Sequence, residues 1–114
     1  MRMLPWRNVA STRVVKEVST LEFRNLLSKY KGRIKVNSHA YFRLSQMQRK
    51  VYKDDTLIML LTEESPLLVG IQQNNNYAAF FRKKKGYLRI IFKITPQHIE
   101  IITFYLAEQV PKIK

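Results

Sequence analysis

From Leu67 onward the chain is punctuated by three turn clusters: Gln72-Gln73-Asn74-Asn75-Asn76, Lys83-Lys84-Lys85-Gly86 and Thr95-Pro96-Gln97-His98. The runs between them are short and rich in Ile, Leu, Phe and Tyr. Such runs predict strands, because Asn, Gly and Pro supply turn geometry that a continuing helix cannot use. Four strands are expected, at Leu67–Gln73, Tyr77–Arg82, Tyr87–Ile94 and Ile99–Tyr105. Consecutive hairpins of this kind form an antiparallel meander.

Upstream the apolar period changes. Ser19-Thr20-Leu21-Glu22 has the form of a capping box, and Phe23, Leu26, Leu27 and Tyr30 follow at the spacing of one helix face. Gly32 supplies the stop. Ile34 and Val36 alternate with Arg33, Lys35 and Asn37, a brief strand signal. Ser38 is placed to cap a second helix from about His39 to Val51, with a stripe of Ala40, Leu44, Met47 and Val51. Asp54 or Asp55 caps a short third helix through Leu57–Leu61, which Pro66 ends. The expected fold is α+β, with two to three N-terminal helices packed on one face of a four-stranded antiparallel meander sheet. At 114 residues and 46% hydrophobic, the chain can bury one core and reads as a single domain. Its expected parts are a basic arm over 1–18, within which Arg13–Val18 reads as either a short strand or part of the arm, a helical part over 19–64, the meander over 67–105 and a tail over 106–114.

Charge speaks about partners. There are 21 Lys+Arg against 8 Asp+Glu, a formal net charge of +13. The excess is blocked: residues 1–53 hold 13 basic and 2 acidic side chains, and residues 82–93 hold 6 basic and none acidic. Residues 54–81 hold 4 acidic and no basic ones. A chain so imbalanced repels itself and favours a polyanionic partner, which makes nucleic acid, RNA or DNA, the first expectation. Cysteine is absent, so a disulfide framework and a thiol nucleophile are excluded. The apolar stretches Leu57–Leu61 and Leu67–Ile71 are too short to span a bilayer, and the first residues lack a signal peptide's apolar run. No membrane partner and a cytoplasmic location are expected.

If Arg82 pairs with Tyr87 and Ile94 with Ile99, side-chain alternation sorts the sheet into two faces. One collects Ala79, Phe81, Leu88, Ile90, Phe92, Ile94, Ile99 and Ile101, the expected core. The other collects Phe80, Arg82, Tyr87, Arg89, Lys93, Glu100, Ile102 and Phe104. Aromatic and basic groups interleave there, an arrangement suited to stacking bases and pairing phosphates. With Lys83, Lys84 and Lys85 at the hairpin turn and Lys50 on the second helix, these form the candidate nucleic-acid surface. The plainer alternative is an ordinary Lys93–Glu100 ion pair, a solvated lysine turn, and Phe80 and Phe104 covered by the arm or by a dimer partner. A homodimer through Phe80, Phe104 and Trp6 is therefore a further expectation.

His39 and Arg43 stand four residues apart on the expected second helix, in line with Lys50. A histidine can move protons near neutrality, and an arginine can hold a phosphate. Cleavage of RNA by its own 2′-hydroxyl needs those roles and no metal. An exposed His followed by Arg is equally an ordinary solvated helix face. With two histidines, no cysteine and carboxylates that read as helix caps, no metal site is expected. The three glycines are isolated, so no phosphate-cradling glycine loop exists and no cofactor is expected.

The run Ser38-His39-Ala40-Tyr41-Phe42-Arg43, followed by a meander ending Ile101-Ile102-Thr103-Phe104-Tyr105, resembles the RelE/BrnT-like ribonuclease toxin superfamily over about residues 36–106. The resemblance implies a small, basic, metal-independent endoribonuclease. It would place His39 and Arg43 in the site, with Thr103 and Tyr105 nearby. The Arg-Gly turn common after the helix in such proteins is replaced here by Gln48-Arg49-Lys50-Val51-Tyr52-Lys53. The unbroken register above also puts Thr103 and Tyr105 on the core face. In its Lys, Ile and Asn usage the chain is similar as well to small basic proteins of rod-shaped archaeal viruses, which would place it in a host cytoplasm. The leading expectation is a nucleic-acid binder favouring RNA or single strands, with the endoribonuclease second.

Overall fold

The computed structural model describes residues 13–41 and 51–110. At its centre is a six-stranded sheet of β1 (Val14–Val18), β2 (Ile34–Val36), β3 (Leu68–Gln72), β4 (Tyr77–Lys83), β5 (Gly86–Ile94) and β6 (Ile99–Ala107). Their spatial order is β1-β3-β4-β5-β6-β2. Strands β3 to β6 form an antiparallel meander with Arg82 opposite Tyr87 and Ile94 opposite Ile99. Two short strands then extend it: β1 pairs antiparallel with β3, and β2 runs parallel to β6. This corrects the expected four-stranded antiparallel sheet to a six-stranded mixed one. The physical reason is that a bare meander leaves a row of unpaired N–H and C=O groups on each outer strand. The brief Ile34 and Val36 alternation fills one row. Val14–Val18, which reads as either a short strand or part of an arm, fills the other. Strand β6 also runs to Ala107, past the expected start of the tail.

Two α-helices, α1 (Thr20–Ser28) and α2 (Asp54–Glu63), and a 3₁₀ turn at Ser38–Tyr41 lie among the described residues. Helix α1 is capped by Ser19, whose hydroxyl accepts from the Glu22 N–H at 3.1 Å and donates to the Glu22 carboxylate at 3.3 Å. Of the expected second helix, Ser38–Tyr41 is 3₁₀, and residues 42–50 lie outside the described residues. Asn37, and not Ser38, holds the start of that turn: its Oδ1 accepts from the His39 N–H at 2.8 Å. Helix α2 is also capped differently from expectation. Lys53 occupies the N-cap without a side-chain bond, while Asp54 accepts a hydrogen bond from the Tyr41 hydroxyl. Asp54 and Asp55 fall in the first turn, where negative charge complements the helix dipole.

The helices cover one face of the sheet. Phe23 and Leu27 of α1 and Leu57, Leu60 and Leu61 of α2 are buried against Ala79, Phe81, Leu88, Ile90, Phe92, Ile99 and Ile101. Phe104 joins them, because β6 carries a β-bulge. Phe92 pairs with Ile101, yet Ile91 pairs with Thr103, so Ile102 is an extra residue. Beyond it every side chain of β6 exchanges faces. Phe104 turns into the helix-side core, and Thr103 and Tyr105 turn to the opposite face, reversing the faces expected for all three.

Candidate nucleic-acid interface

The face of the sheet away from the helices has a closed centre and a charged perimeter. Val14, Ala78, Phe80 and Ile91 form a second buried cluster in the middle, with Leu68, Tyr105 and Val110 packed against it. Phe80, Arg89 and Tyr105 are directly opposite one another on β4, β5 and β6. The Arg89 guanidinium lies 5.1 Å from the Phe80 ring centre and 5.7 Å from that of Tyr105, and its Nη2 donates to Gln72 Oε1 at 2.7 Å. Ala78 on β4, the strand between, and its partner Gly70 on β3 offer little side chain to obstruct that reach. Gln72 in turn donates from Nε2 to Asn74 Oδ1 at 3.2 Å. Burial pushes the Arg89 guanidinium below its ordinary value, and its interaction with Tyr105 acts in the opposite direction. Arginine nonetheless keeps its proton at neutral pH, so this is a cation stacked between two rings.

Several expected contact residues are therefore not available to a ligand. Phe80 is 0% exposed and Arg89 8%, both in the centre of this face, and Phe104 is 0% exposed on the helix side. None of the three can stack on a base or reach a phosphate, and neither phenylalanine can form the expected dimer contact. Trp6, Arg43 and Lys50 lie outside the described residues. Arg82, Lys84, Lys85 and Lys93 are exposed. Tyr87 is half-buried with the Arg82 guanidinium 5.7 Å from its ring centre. Lys83 is half-buried and turned toward the helix layer, its Nζ 3.4 Å from Glu64 Oε2. His39 is exposed on the 3₁₀ turn.

Lys35, which sequence reasoning passed over as a contact residue, completes the perimeter. Lys35 on β2, Glu100 on β6 and Lys93 on β5 stand in one cross-strand row. The Glu100 carboxylate accepts from Asn37 Nδ2 at 2.8 Å and faces His98 Nε2 at 4.0 Å. Lys35 was hidden because its strand was too short to be assigned a place in the sheet. Tyr105 was hidden because nothing in the residue pattern marks Ile102 as an extra residue. Among the described residues no three His, Asp or Glu side chains converge in a way that could hold a metal ion. No described helix is long and apolar enough to cross a membrane.

Both layers carry both signs: Arg24, Lys29, Lys31, Arg33 and Lys53 are exposed on or beside the helices, and Glu17 and Glu100 stand on β1 and β6. Glu22 lies on α1, Asp54, Asp55 and Glu63 on α2, and Glu64 at its C-cap, so five of the eight acids belong to the helix layer. Lys35, Arg82 and Lys93 point from the other face, with Lys84 and Lys85 at the hairpin tip between β4 and β5. No protein-family model, curated protein or solved structure matches the chain.

Proposed function

We propose that this chain binds nucleic acid through phosphate contacts made by the rim of the helix-free sheet face and the tip of the β4–β5 hairpin. The observation that carries the reading is the set of exposed cations, Lys35, Arg82, Lys84, Lys85 and Lys93, that frames the helix-free face of a chain with net charge +13. A phosphate backbone is recognised by such a frame without base contacts. Burial of Phe80 and Phe104 removes the stacking platform that would favour single strands, so affinity depends on phosphate density more than on exposed bases. The test is a salt titration of binding to labelled RNA and DNA of matched sequence. Affinity should fall steeply with salt and vary little with sequence. Replacing Arg82 and Lys93 by Gln should lower the slope of log K against log salt by about 2, near one for each phosphate that a cation no longer neutralises. A slope unmoved by that double substitution would remove the sheet face from the reading.

A second reading has its own support. The parallel pairing of β2 with β6 continues as the Asn37 N–H donating to the Ile101 carbonyl at 2.9 Å, and the Tyr41 ring meets Phe104 edge-on at 5.5 Å. The 3₁₀ turn bearing His39 thus runs beside the half of β6 that the bulge reorients. In an endoribonuclease of the toxin type, His39 would exchange the proton of the 2′-hydroxyl or leaving oxygen. RNA cleaved in the presence of a chelator by the wild-type chain and spared by His39→Ala would establish it. RNA left intact by the wild type would retire it and leave the binding reading standing.

A further inference from the structure

The helix side of the molecule carries a patch that the nucleic-acid reading does not use. Thr56, Met59, Leu60 and Glu63 fall at i, i+3, i+4 and i+7, one stripe of α2. With Val51, Glu64 and Lys83 they line a groove of about 500 Å³. Val51 and Met59 are 62% and 56% exposed, unusual for large apolar side chains on a structured face. Leu106, 47% exposed, stands at the end of the cross-strand row Phe81–Leu88–Leu106 on the same side of the sheet, next to the row of Lys83 and Gly86. Among the described residues, Val51 and Met59 are thus the two large exposed apolar side chains that line the groove.

Its charges identify the occupant. One wall carries Glu63 and Glu64, and the other carries Lys83, so the patch holds both signs within one groove. A wholly acidic partner would meet the two glutamates, and a wholly basic one would meet the lysine and the adjoining Lys84 and Lys85. A contact with two-fold symmetry needs a surface complementary to itself: an apolar centre with opposite charges to either side. We propose that this groove is a two-fold interface between two copies of this chain. Met59 and Val51 of each copy pack against those of its partner, and Lys83 of each approaches Glu63 and Glu64 of the other. Most of the surface of a +13 chain repels a second copy, so association is confined to the patch where the acids stand. Arg82 points to the other face of the sheet, which leaves the phosphate-binding rim outside the contact.

Sedimentation equilibrium of the nucleic-acid-free full chain tests this, with circular dichroism confirming that each variant is folded. The wild type should show a concentration-dependent monomer–dimer equilibrium, and Met59→Lys should weaken it by at least about tenfold, as expected for charge placed in an apolar interface centre. The charge-reversed variants Glu63→Lys/Glu64→Lys and Lys83→Glu should each be monomeric alone. Mixed in equal amounts they should dimerise, because each would then present the charge that the other's wall requires. The intramolecular Lys83–Glu64 pair cannot be repaired by mixing, so recovery in the mixture reports contact between copies. A wild type that is monomeric at its highest soluble concentration, a dimer indifferent to Met59→Lys, or a mixture that stays monomeric would each overturn the proposal.

Discussion

At the scale of single residues, Gly86 and Tyr41 show what local sequence conveys and what it does not. A glycine ending a lysine turn is legible as turn chemistry, and Gly86 has φ +110°. Its second constraint is not legible: a Cβ there would lie 2.6 Å from the carbonyl oxygen of Ala107, on the neighbouring strand. Gly86→Ala therefore adds a clash to a strained backbone and should cost about 1–3 kcal/mol in chemical denaturation. Gly32, at φ +79°, has open space out to 4 Å around the position a Cβ would take, so Gly32→Ala should cost only about 1 kcal/mol. Equal losses at the two sites would contradict the packing described at Ala107. Tyr41 carries a pH dependence. Burial first, and then the hydrogen bond and charge of Asp54, raise its hydroxyl above the ordinary value of 10.0. A group whose pKa is raised on folding contributes stability below its unfolded value and loses that contribution as pH climbs above it. Denaturation midpoints should therefore fall from about pH 10 upward, and less steeply in Tyr41→Phe than in the wild type. Identical alkaline profiles would show that Tyr41 is not held by Asp54 in solution.

Among the elements, β6 decides most. Period-two alternation is legible in Ile99–Ile101 and again in Thr103–Tyr105, but the extra residue between them leaves no trace in composition, because Ile102 looks like any strand residue. That one position moves Phe104 from the expected stacking surface into the helix-side core. It also makes a quantitative prediction. Phe104→Ala should cost about 3–5 kcal/mol as a large-to-small change in the helix-side core, comparable with Phe81→Ala. In a regular register Phe104 would lie on the rim and the same change would cost under about 1 kcal/mol. Urea denaturation distinguishes the two. Helix α1, by contrast, is readable because its signals are local: the cap, the glutamate three residues on and the apolar stripe all lie within its own turns. The edge strands are not, since three residues of alternation at Ile34–Val36 acquire meaning only from the partner that they meet far along the chain.

Over the whole molecule, the basic character is legible in the sequence and its distribution is not. Residue counts give +13, and only the fold brings Lys35, Arg82, Lys84, Lys85 and Lys93 to the border of one sheet face. Self-repulsion among those cations opposes the compact state, and screening relieves it. Raising sodium chloride from about 0.02 to 0.3 M should therefore raise the melting midpoint of the chain while it weakens nucleic-acid binding. A melting midpoint that falls with salt would mean that attractive pairs dominate the surface, contrary to the self-repulsion expected of a net charge of +13.

The order in which the strands leave the ribosome gives the topology a temporal side. Strand β2 is made early, yet among the described strands its one neighbour is β6, which lies fifth in the six-strand order. Until residues 99–107 have cleared the exit tunnel, β2 has no template, β5 has an open side, and Ile99, Ile101 and Phe104 are missing from the core. The nascent chain consequently passes through a stage in which apolar strands of the meander are uncovered. Non-local closure of this kind makes folding slow relative to helical proteins of the same length.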